Sequence, residues 1–194
     1  LGIRSHLLQT VVAPFAARLT SHLEKVSPDF FYAYLPKRSR THAIFRLQYV
    51  AQRLTKNKIS WSASFLDLSQ YFDRIDPQEA LFFMIDSGFD KASATFLVNC
   101  ISYCQYVHKF PGAEDIIQMI ERGVPQGGRE SPGISILVMR YIFSSIASDK
   151  ELRTRFRWLE IHLDESWFSF DSTVFADDIA FLTVHPQNHL CDDI

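Results

Sequence analysis

Three acids and one glycine-rich loop carry the residue types that chemistry needs. Asp67 closes the apolar stretch Ser64-Phe65-Leu66-Asp67-Leu68, where a carboxylate is costly to bury unless it is paired or holds a cation. Asp177 and Asp178 are adjacent, between Thr173-Val174-Phe175-Ala176 and Ile179-Ala180-Phe181-Leu182. Acids between two apolar runs also suit an ordinary tight turn. If a hairpin tip presents this pair beside the strand of Asp67, three carboxylates converge. Mg2+ takes oxygen ligands and accepts one or two carboxylates, with phosphates filling the remaining positions. Two such ions about 3.5–4 Å apart activate an attacking hydroxyl and neutralise the leaving oxygen. The loop Gly123-Val124-Pro125-Gln126-Gly127-Gly128 lets backbone approach a flat or anionic ligand closely, and a helix N-terminus follows it. It lacks the Gly-Lys-Ser/Thr of a phosphate-binding P-loop.

The elements that must position these groups follow from apolar spacing. Leu7, Leu8, Val11, Val12, Phe15, Leu19 and Leu23 predict a helix over 6–26, kinked or split at Pro14. A turn-rich stretch, 27–40, holds the basic run Lys37-Arg38-Ser39-Arg40. Ile44, Leu47, Val50 and Leu54 predict a helix over 41–56, and the alternation in 60–68 predicts a strand. Pro77 opens a helix to about Ser87 that Gly88 closes, and Asp90 caps another reaching about Val107. Residues 116–121 form a candidate strand. Ser131 is placed as N-cap and Pro132 as first residue of an apolar helix to about Ala147. Residues 149–157 are charged and read as peripheral. Strands are predicted at 159–163, 167–170 and 174–184, the last broken by a turn at Asp177-Asp178. This mixture predicts an α+β domain.

Composition narrows the class. Of 194 residues, 47% are apolar and 22% charged, which excludes a disordered tail, a collagen-like fibre and a coiled coil. A chain of this size buries about 70% of its unfolded surface and needs no disulfides. No apolar run approaches the roughly 18 residues of a membrane span. The abrupt start at Leu1-Gly2-Ile3-Arg4 and the stop at Asp192-Asp193-Ile194 read as a piece of a longer protein. Residues 1–60 carry ten Lys/Arg against two acids, whereas 61–194 carry ten against twenty. That asymmetry suits a polyanion on one side and cations on the other, or simply solvated helix faces. Cys100, Cys104 and Cys191 form no disulfide framework and fit a reducing compartment. Cys100 and Cys104 read as buried small hydrophobes on one helix face. His185, His189 and Cys191 have metal-like spacing without a fourth ligand and read as loop residues.

Taken in order, Phe65-Leu66-Asp67-Leu68-Ser69-Gln70-Tyr71-Phe72-Asp73, then Gly123 to Gly128 with Ser131-Pro132, then Phe175-Ala176-Asp177-Asp178, the chain resembles the palm of reverse transcriptases. The stretch 34–44 resembles the basic turn and helix leading into that palm, and Leu1-Gly2-Ile3 the tail of the block before it. Within the family the blocks look most like non-LTR (LINE-type) retrotransposon enzymes. The resemblance implies an RNA-directed DNA polymerase core, with partial helical fingers at 1–58 and a palm at 59–194. That palm would have a small antiparallel sheet packed on helices, with the thumb lying beyond Ile194.

By this resemblance Asp67 and Asp177 hold two Mg2+ ions, which Mn2+ can replace, with Asp178 beside them and the Leu68 carbonyl as a further ligand. Ser69, Gln70 and Tyr71 offer backbone N–H groups to the triphosphate of a deoxynucleotide, and Phe72 is the ring that leaves no room for a 2′-hydroxyl. Gln126 and Gly127 lie against nucleotide and template base, although Gln126 also suits an exposed loop amide. Lys37, Arg38 and Arg40 contact template phosphates or form a solvated basic turn. Expected partners are an RNA template, a DNA primer and deoxynucleotides, with no membrane, and a nuclear location follows from the LINE-like resemblance alone. Two positions depart from the family pattern: Tyr71, where a small residue is usual, and Gly133-Ile134-Ser135-Ile136, where an Asn is common. Alternatives are a catalytically inactive nucleic-acid-binding remnant, a group II intron-type reverse transcriptase, and an RNA-dependent RNA polymerase. Phe72 and the Gly-Val-Pro-Gln-Gly run argue against the last.

Overall fold

The computed structural model describes residues 5–103, 105–108, 112, 114, 116–119, 122–150, 159–163, 166–170 and 172–184. Their elements are α1 (His6–Val26), α2 (Arg40–Lys56), β1 (Trp61–Asp67), α3 (Tyr71–Arg74), α4 (Pro77–Asp86), α5 (Lys91–Ser102), β2 (Gln105–His108), β3 (Ile116–Met119), α6 (Ser131–Ser148), β4 (Leu159–Leu163), β5 (Ser166–Phe170), β6 (Thr173–Phe175) and β7 (Asp178–Val184). Helices with a small antiparallel sheet make this the α+β class that the sequence predicts. Two compact units interleave along the chain. One comprises Leu1–Pro28, Tyr34–Pro36 and Ser69–Phe143, the other Asp29–Ala33, Lys37–Leu68 and Ser144–Ile194.

The first unit is mainly helical. In α1 the residues Val12, Ala16, Leu19 and Leu23 recur every three or four positions and are buried. The helix runs unbroken through Pro14, which was expected to kink or split it. Pro14 and Thr10 both face solvent, so the Thr10 carbonyl that Pro14 leaves without an intrahelical donor is on the wet side. Asp76 caps α4 through the Gln78 N–H at 2.8 Å, and Asp90 caps α5 through the Ser93 N–H at 2.8 Å. Helix α5 stops at Ser102, short of the predicted Val107, where the Tyr103 N–H closes the last turn on Asn99. Gln105–His108 instead pairs antiparallel with Ile116–Met119. Tyr106 and Val107 favour a strand once a partner strand supplies the ladder, and that partner begins eight residues after His108.

Helix α6 carries a long buried apolar run that includes Ile134, Ile136, Leu137 and Met139. At Gly133 a Cβ would stand 2.8 Å from the Leu19 Cδ2, so α1 and α6 approach closely enough that a larger residue there must displace Leu19. Ser131 was expected as N-cap. It opens the helix as its first residue, and its hydroxyl donates to the Pro125 carbonyl at 2.7 Å rather than accepting an amide proton.

The second unit packs α2 on a three-stranded sheet of order β1-β7-β6, antiparallel throughout. Val50, Leu54 and Leu182 form its core, with Leu47, Ile59 and Trp61 packed against them. Phe31 forms an isolated parallel bridge with Val174, extending the sheet beyond β6. Strands β4 and β5 form a separate antiparallel pair. No helix among the described residues is long and apolar enough to cross a membrane. Cys100 is half-buried. Leu1-Gly2-Ile3, Cys104, residues 151–157, His185, His189 and Cys191 lie outside the described residues.

Candidate active site

Strand pairing brings the acids together. The register of β1 on β7 sets Asp67 directly opposite Asp178. Beyond them the Leu68 N–H donates to the Asp177 carbonyl at 3.3 Å. Leu68 and Asp177 therefore form a hydrogen-bonded rung, and Asp67 and Asp178 the adjacent non-hydrogen-bonded one. At such a rung the Cα atoms stand about 4.5 Å apart and both side chains leave the same face. Asp67 and Asp178 are exposed and Asp177 is half-buried. Like charges directly opposed across a ladder repel, so the pair is a place where a cation is favourable.

The turn sits one residue earlier than predicted. Phe175 pairs with Asp178, leaving Ala176 and Asp177 as a two-residue loop. Ala176 takes φ +59, the left-handed value that two-residue hairpins require at their first central position. Alanine reaches it against a steric penalty of about 1–2 kcal/mol. The tip is thus Ala176-Asp177, and Asp178 is already strand, because it pairs on both sides.

In the first unit, the stretch after β1 is fixed to the glycine loop. Gln70 takes φ +54, and its carbonyl accepts from the Asp73 and Arg74 N–H groups at 3.1 Å each, starting α3. Ser69 and Gln70 are exposed, Phe72 is half-buried and Tyr71 is buried. The Val124 N–H donates to the Phe72 carbonyl at 2.8 Å, and the Gly123 N–H to the Ile75 carbonyl at 2.9 Å. Gly123 has φ +98, and a Cβ there would lie 3.0 Å from the Asp73 backbone, so only glycine permits this contact. Gln126 and Gly127 are exposed. The Gly127 carbonyl accepts from the Gln9 side chain at 3.2 Å, a link from α1 that nothing in the spacing of α1 indicates.

The three basic candidates differ. Lys37 is exposed at φ +61. Arg38 is half-buried; its Nη1 donates to the Phe31 carbonyl at 2.8 Å, and its Nη2 lies 3.6 Å from the Asp29 carboxylate. Arg40 is exposed and, with Phe65, Leu66, Phe175 and Asp178, lines a cavity of about 340 Å3 between α2 and the sheet. Among the described residues no group of three or more His, Cys, Asp or Glu is gathered so as to hold a metal ion. Asp67 and Asp178 form a two-carboxylate donor set, which matches the habit of Mg2+ of taking one or two carboxylates and completing its shell with phosphates and water.

The chain thus combines helices with a small antiparallel sheet on which two acids face each other across adjacent strands. The family model described as reverse transcriptase (RNA-dependent DNA polymerase) matches residues 1–192, and the chain belongs to that family. Among solved structures, the chain is similar to apo telomerase from Candida tropicalis, truncated from its C-terminal domain. The identity is 15% and the TM-score 0.57, covering 90% of this chain and 34% of that one. It is also similar to telomerase from Candida albicans in complex with a TWJ fragment of telomeric RNA. There the identity is 12% and the TM-score 0.59, covering 91% of this chain and 30% of that one. The chain thus spans about a third of the length of these structures. No curated protein matches the chain.

Proposed function

We propose that this chain is the fingers and palm portion of an RNA-directed DNA polymerase, with fingers at 1–58 and palm at 59–194. The reaction is attack of a primer 3′-hydroxyl on the α-phosphate of a deoxynucleotide, directed by an RNA template. The observation that carries this reading is the facing of Asp67 and Asp178 across one rung, with Asp177 in the adjoining turn. Asp67, Asp177, Asp178 and the Leu68 carbonyl would hold divalent cations, Mg2+ or Mn2+. Bound there, such ions supply charge neutralisation to the transferring phosphoryl group. Phe72 sets the preference for deoxynucleotides, with Ser69, Gln70, Tyr71, Gln126 and Gly127 forming the nucleotide surface. The Candida albicans telomerase structure contains RNA, which supports an RNA partner here. The LINE-like form of the sequence blocks favours a retrotransposon enzyme acting in the nucleus.

The test is primer extension on an RNA template by the full-length protein. Wild type extends with deoxynucleotides in Mg2+, Asp67→Asn and Asp177→Asn lose at least a thousandfold in rate, and Phe72→Ala admits ribonucleotides. Extension that survives both Asp substitutions overturns the reading.

A further inference from the structure

Helix α2 has one face with a composition that its packing does not explain. Ala43, Val50 and Leu54 are buried on one side, with Leu47 beside them. At 100° per residue, Phe45, Tyr49, Gln52 and Lys56 fall on the opposite side, flanked by His42 and Arg53. Phe45 is 64% exposed and Tyr49 46%. The solvent side of an amphipathic helix is ordinarily polar, and here it presents two aromatic rings one turn apart, about 6 Å along the axis. The helix contains Arg40, Arg46, Arg53 and Lys56 and no acid. The Arg53 Nε and Nη2 both donate to the Tyr49 hydroxyl, at 3.1 and 3.0 Å, and its guanidinium carbon lies 5.3 Å from the ring centre. Arg53 therefore both holds the Tyr49 ring and adds a cation beside it.

We infer that this face of α2, Phe45, Tyr49, Arg53 and Lys56 with His42, is a docking surface for single-stranded nucleic acid. Exposed rings stack bases, every base has a π-face to offer, and cations along the same stripe meet the phosphates. A duplex keeps its base faces stacked inside, so the partner is a single strand. A protein partner for two exposed rings would not require a helix without acids; a polyanion does. The identification of the strand as the RNA template rests on the polymerase reading. The surface itself rests on α2 alone.

Binding of fluorescent 20-nucleotide oligo(U), oligo(dT) and a 20-base-pair duplex to the chain, without nucleotide or divalent metal, tests this. Each stacked base is worth about 5-fold to 140-fold in affinity. Phe45→Ala with Tyr49→Ala is expected to weaken oligo(U) at least tenfold and leave the duplex unchanged. Lys56→Ala is expected to lower the salt slope by about one. A parallel loss on oligo(dT) supports the surface, since stacking is blind to the 2′-hydroxyl. Unchanged oligo(U) affinity in the double variant overturns the inference. So does full retention by Phe45→Leu with Tyr49→Leu, which would mark an apolar protein-docking face. Both rings lie opposite the packed side, and circular dichroism checks that the helix is intact. Because no extension is measured, an inactive polymerase and an absent RNA surface give different results.

Discussion

The Tyr71 hydroxyl donates a hydrogen bond to the Ser135 carbonyl, joining α3 to the first turns of α6 across 64 residues of sequence. Both residues lie in the first unit, Tyr71 just after β1 and Ser135 in the helix that follows the glycine loop. A bulky Tyr71 is accommodated because it turns into the interior, where it is buried. Deleting the hydroxyl leaves the ring in place and removes one partner of a buried bond. Tyr71→Phe is therefore expected to lower unfolding free energy by about 1 kcal/mol, read by urea denaturation. An unchanged midpoint would mean that the bond contributes nothing. Since Phe72 is next in the chain, the same variant in the full-length protein should also relax discrimination between deoxynucleotides and ribonucleotides.

The facing of Asp67 and Asp178 makes an opposite prediction for stability and activity. Two carboxylates at a non-hydrogen-bonded rung repel when no cation is present. Asp67→Asn and Asp178→Asn should each raise stability in metal-free, low-salt buffer, by about 0.5 kcal/mol, with the gain shrinking in high salt. Each should also abolish extension. Added Mg2+ should raise the Tm of the wild type, since a ligand of the folded state stabilises it, and should leave Asp67→Asn unmoved. Calorimetry with and without metal reads both effects. A wild type indifferent to Mg2+ would count against a cation site here.

The parts legible in the sequence are those decided locally. The boundaries of α1 and α2 followed from apolar residues every three or four positions, and the start of α4 from Asp76-Pro77. Three acids were expected to converge, whereas Asp67 faces Asp178 and no group of three acids is gathered among the described residues. Which of Asp177 and Asp178 stands across from Asp67 depends on where the turn falls, and nothing in Phe-Ala-Asp-Asp says that an alanine takes the left-handed position. The end of α5 was misjudged for a related reason. Apolar spacing continues past Ser102, and only pairing with Ile116–Met119 shows that Gln105–His108 is a strand. Arg38 reads as one more cation in a basic run, because a main-chain carbonyl as partner leaves no trace in sequence.

Asp90 gives the fold a pH dependence whose sign is fixed. Its carboxylate accepts from the Ser93 N–H at 2.8 Å. Hydrogen bonding from the Ser93 backbone, then from its side chain, holds its pKa below the usual 3.8. A pKa lowered on folding stabilises the native state above the unfolded value, and that contribution fades as pH falls through the folded value. Asp90→Asn keeps an acceptor at the cap without a charge to titrate. The stabilities of wild type and Asp90→Asn should therefore differ by a constant amount from pH 5 to 7. Below about pH 4 the wild type should lose stability relative to the variant. Parallel curves down to pH 2 would show that the cap carries no ionisation linkage.

Lys37 and Arg38 are adjacent in sequence and should act differently. Arg38 donates to the Phe31 carbonyl, and its neighbour Asp29 is so exposed that their ion pair adds little. The Phe31 segment is itself bound to the sheet. The Tyr32 N–H donates to the Val174 carbonyl, and the Val174 N–H to the Phe30 carbonyl, each at 2.9 Å. Val174 lies two residues before the Ala176-Asp177 turn. Arg38 thus braces the backbone that edges β6 and, through it, the acidic hairpin. Arg38→Ala should cost about 1–2 kcal/mol of stability without altering the salt dependence of RNA binding. Lys37→Ala should leave stability within about 0.5 kcal/mol and lower the salt slope by about one. Arg38→Lys tests the bracing further, because a lysine reaches the carbonyl with a single ammonium and cannot reproduce the fork. If Arg38→Ala reduces the salt slope and leaves the denaturation midpoint untouched, Arg38 belongs with Lys37 as a phosphate contact and the bracing role fails.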